Sequence, residues 1–230
     1  KTKVLSDFKD LEIYAKKYEE VFFFEAVNRP LEKQISQFQK KIKTVSILNN
    51  PQFLFSKDEL TEMLGKKDKY LMASFYIKSR RKLDILVKSD KPVGGKWSFD
   101  SENRESLDDS IKVPDLPKIK LSDEDKKNLK KFLQTFKKSY GDIEDFVFPY
   151  KRKQLRPWLE AFFKERFKNF GRFQDAIHPK HPFLFHSCIS PMVNVGLLTP
   201  AELLEELKAY TKTHKIPLNS EEGFIRQVIG

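Results

Sequence analysis

The sequence predicts an α/β region followed by an all-helical region, with a long connecting segment between them, and three observations carry that expectation. Apolar runs of strand length alternate with helical stripes only before residue 50. The stretch 88–121 holds Pro92, Gly94, Gly95, Pro114 and Pro117 among many charges, with little periodicity, as a linker between domains would. From Ser122 onward the apolar patterns have helical spacing. The expected boundaries are therefore 1–87, 88–121 and 122–230.

Taken in order, Leu5, Phe8, Leu11, Ile13 and Tyr14 stand among charges in a mostly helical rhythm. The run Val21-Phe22-Phe23-Phe24 follows and reads as a strand buried on both faces. Pro30 opens a segment in which Leu31, Ile35, Phe38 and Ile42 fall on one stripe, and Thr44-Val45-Ser46-Ile47-Leu48 reads as a second strand. Strand, helix and strand in succession imply a parallel unit, and two strands alone make a poor sheet, so further strands are expected from a missing N-terminal part. Two helices are expected near 57–64 and 69–86. Beyond the linker, Ser122 with Asp125, and more clearly Thr199, Pro200 and Glu202, have the form of helix N-termini. Leu155, Trp158, Leu159, Phe162, Phe163 and Phe170 form an apolar face opposite Lys153, Glu160, Lys164 and Lys168.

With 39% hydrophobic and 13% aromatic residues, 21 of them Phe, the chain can bury a real core. Its net charge of +11 would concentrate polyanions, and Lys66, Lys67, Lys69, Lys78, Arg80, Arg81 and Lys82 cluster against the single acid Asp68. Cys188 is the only cysteine, which excludes a disulfide framework or a multi-thiolate metal site built from this chain alone and fits a reducing, cytoplasmic setting. No apolar run approaches the length of a membrane span, about 20 residues. The lysine at position 1 and the apolar pattern Phe224 to Gly230 at the other end lead us to expect a fragment of a longer protein.

The stretch most suggestive of chemistry is His186-Ser187-Cys188-Ile189-Ser190-Pro191, followed by Met192, Val193 and Asn194. Pro191 suits the first turn of a helix, and two hydroxyls three residues apart just before it can join free backbone N–H groups in holding a phosphate. The plainer alternative is that Ser190 caps the helix. His178 and His181 have a spacing that could share a metal on a helix, but Pro179 and Pro182 break it, and no carboxylate or thiolate stands at ligand spacing. No Walker loop, GxSxG elbow, HExxH or GxGxxG occurs.

Five blocks in fixed order have a joint likeness that none has singly. They are Phe75-Tyr76 with Arg80-Arg81, Gly94 to Arg104 (GGKWSFDSENR), Phe170 to Ala176 (FGRFQDA), His186 to Pro200 (HSCISPMVNVGLLTP) and Glu222 to Gln227 (EGFIRQ). This series resembles the photolyase-related family that includes the iron–sulfur bacterial cryptochromes and (6-4) photolyases. The resemblance implies a partial Rossmann-like antenna domain over 1–87, a linker, and the first half of a helical FAD-binding domain over 122–230. It implies FAD as cofactor, contacted by His186, Ser187, Cys188, Ile189 and Ser190, with Asn194 and Asp175 as further candidates. Gln227 and Arg226 are implied as contacts to damaged DNA, through an extruded base and a phosphate respectively. Phe173 stands where many relatives have Tyr, so a hydroxyl contact is not expected there. Full-length relatives also carry a four-iron four-sulfur cluster on four later cysteines and a lumazine antenna. The implied activity is light-driven repair of pyrimidine photoproducts by electron transfer from reduced FAD, in a monomer. The alternative is a cryptochrome-like blue-light receptor without repair, and charge alone would also suit a flavin-free nucleic-acid-binding module.

Overall fold

The computed structural model describes residues 8–42, 44–66, 68–136, 138 and 141–230. Leu5 and Lys67, and the side chain of Phe8, lie outside the described set. The chain divides into two compact units, Lys1–Asp68 and Lys69–Gly230.

The first unit is α/β. It comprises α1 (Phe8–Ala15), β1 (Val21–Phe24), α2 (Arg29–Gln39), β2 (Val45–Leu48) and α3 (Lys57–Leu64). β1 and β2 pair in parallel, in register from Val21 opposite Val45 to Phe24 opposite Leu48, with α2 as the crossover. Asn28 starts α2 by accepting a hydrogen bond from the Leu31 N–H at 2.9 Å, and Pro30 occupies its first turn. The stripe read from the sequence is the buried one: Ile35 and Phe38 are covered, and Phe38 meets Phe23 edge to face at 5.2 Å. Ser56 and Glu59 form a reciprocal capping box on α3.

One expectation fails here. Successive side chains of a strand point to opposite faces, and α2 meets only the face that carries Phe23. Phe22 and Phe24 on the other face are more than half exposed, so β1 is not buried on both sides.

The second unit is helical. It comprises α4 (Met72–Lys82), a hairpin of β3 (Val87–Lys88) and β4 (Lys91–Pro92), α5 (Asp123–Leu133), α6 (Leu155–Ala161), α7 (Phe167–Phe170), α8 (Ser190–Asn194), α9 (Pro200–Thr211) and α10 (Leu218–Ile229). A π-helical turn, Phe162–Arg166, joins α6 to α7. Its extra residue per turn rotates the apolar stripe so that Phe162, Phe163, Phe167 and Phe170 all turn inward, each under 5% exposed. They enclose Phe224 of α10, whose ring lies 5.1 Å from Phe162, 5.5 Å from Phe167 and 5.6 Å from Phe170. Burying such large apolar surfaces is the main force holding the unit together. The capping box at Thr199 and Glu202 is present, with Pro200 at the start of α9, and the Ser122 side chain accepts from the Asp125 N–H at the start of α5.

The division into compact units falls earlier than residue 87, because α4 packs with the helical unit. α4 also stops at Lys82 rather than 86, since Asp84 and Leu86 both take φ of 50°, a left-handed conformation that ends a helix. Within 88–121, the part 94–104 is packed: Phe99 is 7% exposed and Asn103 fully buried. Gly94 explains the first glycine of that block. Its φ is +78°, and a Cβ there would lie 2.3 Å from Leu218 Cδ2 and 2.8 Å from the Phe99 ring.

Candidate functional site

Four of the five sequence blocks meet around α10. Arg80 is fully buried and donates to the carbonyls of Ile85 (Nε, 3.1 Å), Trp97 (Nη1, 2.8 Å) and Leu86 (Nη2, 2.7 Å). Its guanidinium and that of Arg81 both lie against the Trp97 ring, 5.1 and 5.0 Å from its centroid, and Arg81 also pairs with Asp90 at 2.9 Å. The Asn103 side-chain amide lies 3.0 Å from Gln174 Oε1, and the Asp175 N–H donates to the Asn103 carbonyl at 3.2 Å. The basic cluster over 66–82 is thus not a uniform cationic surface, because Arg80 and Arg81 are committed to the protein's own carbonyls, indole and carboxylate.

The fifth block lines a cavity of about 490 Å³. His186, Ser187, Cys188, Ile189, Ser190 and Asn194 form one side, and Gln227 comes from α10. Phe170, Val193, Pro200, Leu203, Phe224 and Val228 complete the wall with apolar surface. Seven of the nine residues selected from the sequence are brought together here. The other two are not. Asp175 lies outside the lining, half exposed, with its carboxylate 3.8 Å from Arg104 Nε. Arg226 faces a separate apolar groove with Met72, Tyr76 and Trp97, and its guanidinium pairs with Asp100 at 3.1 Å and Glu222 at 3.3 Å. The apolar half of the wall was not selected from the sequence, because Phe170 and Leu203 carry the same helical pattern as ordinary core.

The 183–190 segment is shaped by a few contacts. Trp158 Nε1 donates to the Ser187 carbonyl at 2.9 Å and ties the segment to α6. Leu184 and Cys188 adopt φ of 42° and 52°, left-handed conformations uncommon outside glycine, and a turn closes from the His186 N–H to the Phe183 carbonyl at 3.0 Å. Ser190 does not cap α8: it is the first helical residue, the preceding position is Ile189, and no side chain caps the helix. The Ile189 carbonyl accepts from the N–H groups of Met192 (3.0 Å) and Val193 (3.1 Å). Among the described residues, neither the Ser187 nor the Ser190 hydroxyl has a hydrogen-bond partner, so both are available to a ligand.

The electrostatics suit a neutral donor set. No Lys, Arg, Asp or Glu is among the described residues lining the cavity. Burial holds His186 below the usual imidazole range, with Asp175 opposing the shift more weakly, so at neutral pH the ring is uncharged and offers one N–H. Its ring stands edge-on to Phe170 at 6.1 Å. Burial likewise pushes the Cys188 thiol up to about 11, against a smaller opposing effect of Arg166, while the S–H points at the His186 carbonyl 3.7 Å away. The thiolate is the reactive form, so alkylation of Cys188 by iodoacetamide is expected to run roughly two orders of magnitude slower near pH 7 than for an ordinary thiol. The rate should climb with pH toward a midpoint near 11 in the folded chain, and a midpoint near 8.5, the ordinary value, would contradict the burial.

Elsewhere, the His178 and His181 rings stack at 5.1 Å, and His178 Nε2 lies 3.1 Å from Asp109 Oδ1. Among the described residues no group of three or more His, Cys, Asp or Glu is disposed to hold a metal ion, and no helix is long and apolar enough to cross a membrane.

Comparison with known proteins agrees with the five blocks. The chain is 33% identical over 186 residues to a (6-4) photolyase of Agrobacterium fabrum, an alignment covering 81% of this chain and 37% of that protein. Two uncharacterized proteins of Acanthamoeba polyphaga mimivirus are also similar. One is 33% identical over 86 residues (35% of this chain, 44% of the relative), and the other 43% identical over 58 residues (25% and 45%). Each alignment spans less than half the length of its relative. The model of the family described as deoxyribodipyrimidine photo-lyase-related protein matches residues 5–148, and with the relative above it establishes that the chain belongs to that family.

Proposed function

We propose that this chain contributes the diphosphate-anchoring side of an FAD site to a longer DNA photolyase of the (6-4) type. The observation that carries the reading is the cavity itself: seven residues chosen from the sequence line it, and two of them present unpartnered hydroxyls. The fit is chemical. Ser187 and Ser190 would donate to diphosphate oxygens, Asn194 and the neutral His186 offer further donors, and no carboxylate on the wall opposes an anion. Cys188 and Ile189 contribute wall and backbone rather than charge. The apolar surface of Phe170, Leu203 and Phe224 would exclude water from a bound aromatic cofactor.

When bound, reduced FAD would supply light-driven electron donation toward a pyrimidine photoproduct, with Ser187, Ser190 and His186 holding it in place. This chain's part is to hold and orient. Gln227, exposed on the α10 wall, is suited to hydrogen-bond an extruded base of damaged DNA, and the net charge of +11 favours association with that polyanion. Arg226 is better suited to fixing α10 than to binding phosphate, given its pairing with Asp100 and Glu222. Asp175 would act on the site only through the His186 ring. We take residues 1–87 as the later half of an antenna domain, 88–121 as the connection and 122–230 as the first half of the FAD domain of a cytoplasmic monomer. A four-thiolate iron–sulfur cluster does not fit this chain's residues, because they include one cysteine where four are needed.

The test uses the full-length protein. Purified protein should carry FAD, and under reducing conditions with illumination it should convert a defined (6-4) oligonucleotide to intact thymines. Exchanging Ser187 and Ser190 together for leucine should lower FAD affinity by tenfold or more, roughly the loss of two charge-assisted hydrogen bonds. Flavin binding without any turnover of (6-4) or cyclobutane lesions would reject the repair activity in favour of a cryptochrome-like receptor. DNA binding with no flavin absorbance would reject both.

A further inference from the structure

α10 has two working faces. At 100° per residue, Phe224, Gln227 and Val228 lie 140–240° around the helix from Glu222, whereas Arg226 shares the Glu222 side. The first three line the cavity. The opposite side is pinned by a single carboxylate. Glu222 is fully buried, yet it accepts from the Tyr76 hydroxyl at 2.8 Å through Oε1 and from the Phe99 N–H at 2.9 Å through Oε2, and Arg226 Nε lies 3.3 Å from Oε1. The partners come from three places: α4, the 94–104 block and α10 itself. Arg226 extends the arrangement to Asp100, which in turn pairs with Arg104 at 2.5 Å. The Tyr76 phenol, raised above its ordinary range by burial and then by the neighbouring carboxylate, stays a proton donor at every physiological pH.

A carboxylate withdrawn from water is tolerated only where hydrogen bonds and a neighbouring cation offset the lost solvation, and here two hydrogen bonds and the Arg226 ion pair do so and tie the helix to its neighbours. We infer that Glu222 is a positioning residue for the candidate site, setting the register of α10 so that Phe224 and Gln227 stand on the cavity wall. The inference rests on the FAD reading only for its ligand; the pinning of the helix is independent of it.

Two measurements on the full-length protein separate these. Glu222→Gln keeps the shape but has one accepting oxygen instead of two and no charge for Arg226, so hydrogen exchange across residues 224–228 should accelerate and FAD affinity should fall about tenfold. Glu222→Ala should do more of both. Leu159→Ala serves as the comparator, because Leu159 is buried in α6 and does not line the cavity. It should lower stability while leaving exchange in 224–228 and FAD affinity near the parent values. Unchanged exchange in Glu222→Gln, or an equal loss of FAD affinity in Leu159→Ala, overturns the positioning role. If the parent protein binds no FAD, the flavin reading fails and the exchange data alone decide the role of Glu222.

Discussion

Replacing Arg80 by methionine should lower the free energy of unfolding by about 3 kcal/mol or more, since each buried acceptor left without a donor costs about 1–3 kcal/mol. The side chain lies fully buried beneath the turn that follows α4 and donates to three carbonyls; those of Ile85 and Trp97 depend on it, whereas that of Leu86 also accepts from the Val93 N–H at 2.8 Å. Methionine fills much of the same volume, so the loss comes from the unsatisfied carbonyls and from the contact with the Trp97 ring rather than from an empty cavity. Arg80→Lys should recover only part of the stability, because one ammonium cannot reach three divergent acceptors. Urea unfolding of the three proteins measures this directly. A methionine variant within about 0.5 kcal/mol of the parent, the range of an ordinary surface change, would show that water satisfies those carbonyls instead.

Gly171→Ala should be the second severe change, and its cause is space rather than conformation. Gly171 ends α7 with right-handed helical angles that alanine adopts readily. A Cβ there, however, would sit 2.5 Å from the Asn219 carbonyl carbon and from Ser220 N, both backbone atoms at the start of α10. The Gly171 N–H also donates to Ser220 Oγ at 2.8 Å, and that hydroxyl donates on to the Lys168 carbonyl at 3.1 Å. Alanine's intrinsic advantage over glycine in a helix, up to about 1 kcal/mol, is set against an overpacking penalty of about 1–3 kcal/mol plus the strained hydrogen bonds. A net loss of about 2 kcal/mol is expected. Because α10 would have to retreat, and Phe170 and Phe224 line the cavity from the two helices concerned, flavin affinity should fall in the same variant. Full retention of both stability and affinity would mean the helices can part without consequence.

Local patterns read from the sequence translate well where the chain's own neighbours decide the outcome. The capping box at Thr199, the stripe Ile35 and Phe38, and the inward face of α6 depend on side chains three or four residues apart, which a sequence displays. His186 to Ser190 reach one cavity wall together because they are neighbours in the chain, a closeness the sequence displays. Features set by distant partners were not legible. Arg80 counts as one more cation in a basic stretch until the carbonyls it serves are brought to it by a turn with non-glycine residues at positive φ. Arg226 and Gln227 are adjacent in sequence, yet a step of 100° puts one in a carboxylate network and the other on the cavity wall. Asp175 was selected by its block and lies beside the site without lining it, because its carboxylate turns toward Arg104.

The sheet of the first unit carries a practical consequence. Among the described residues it has only two strands, so each has one hydrogen-bonding edge without a strand beside it, and Phe22, Phe24 and Leu48 leave apolar surface open to solvent. Unpaired strand edges next to bare aromatic rings template the addition of further strands from other molecules. An isolated preparation of this chain is therefore prone to self-association that grows with concentration and lies apart from anything the helical unit does. Charged substitutions at Phe22 and Phe24 are the changes that would keep it in solution long enough for its other properties to be measured.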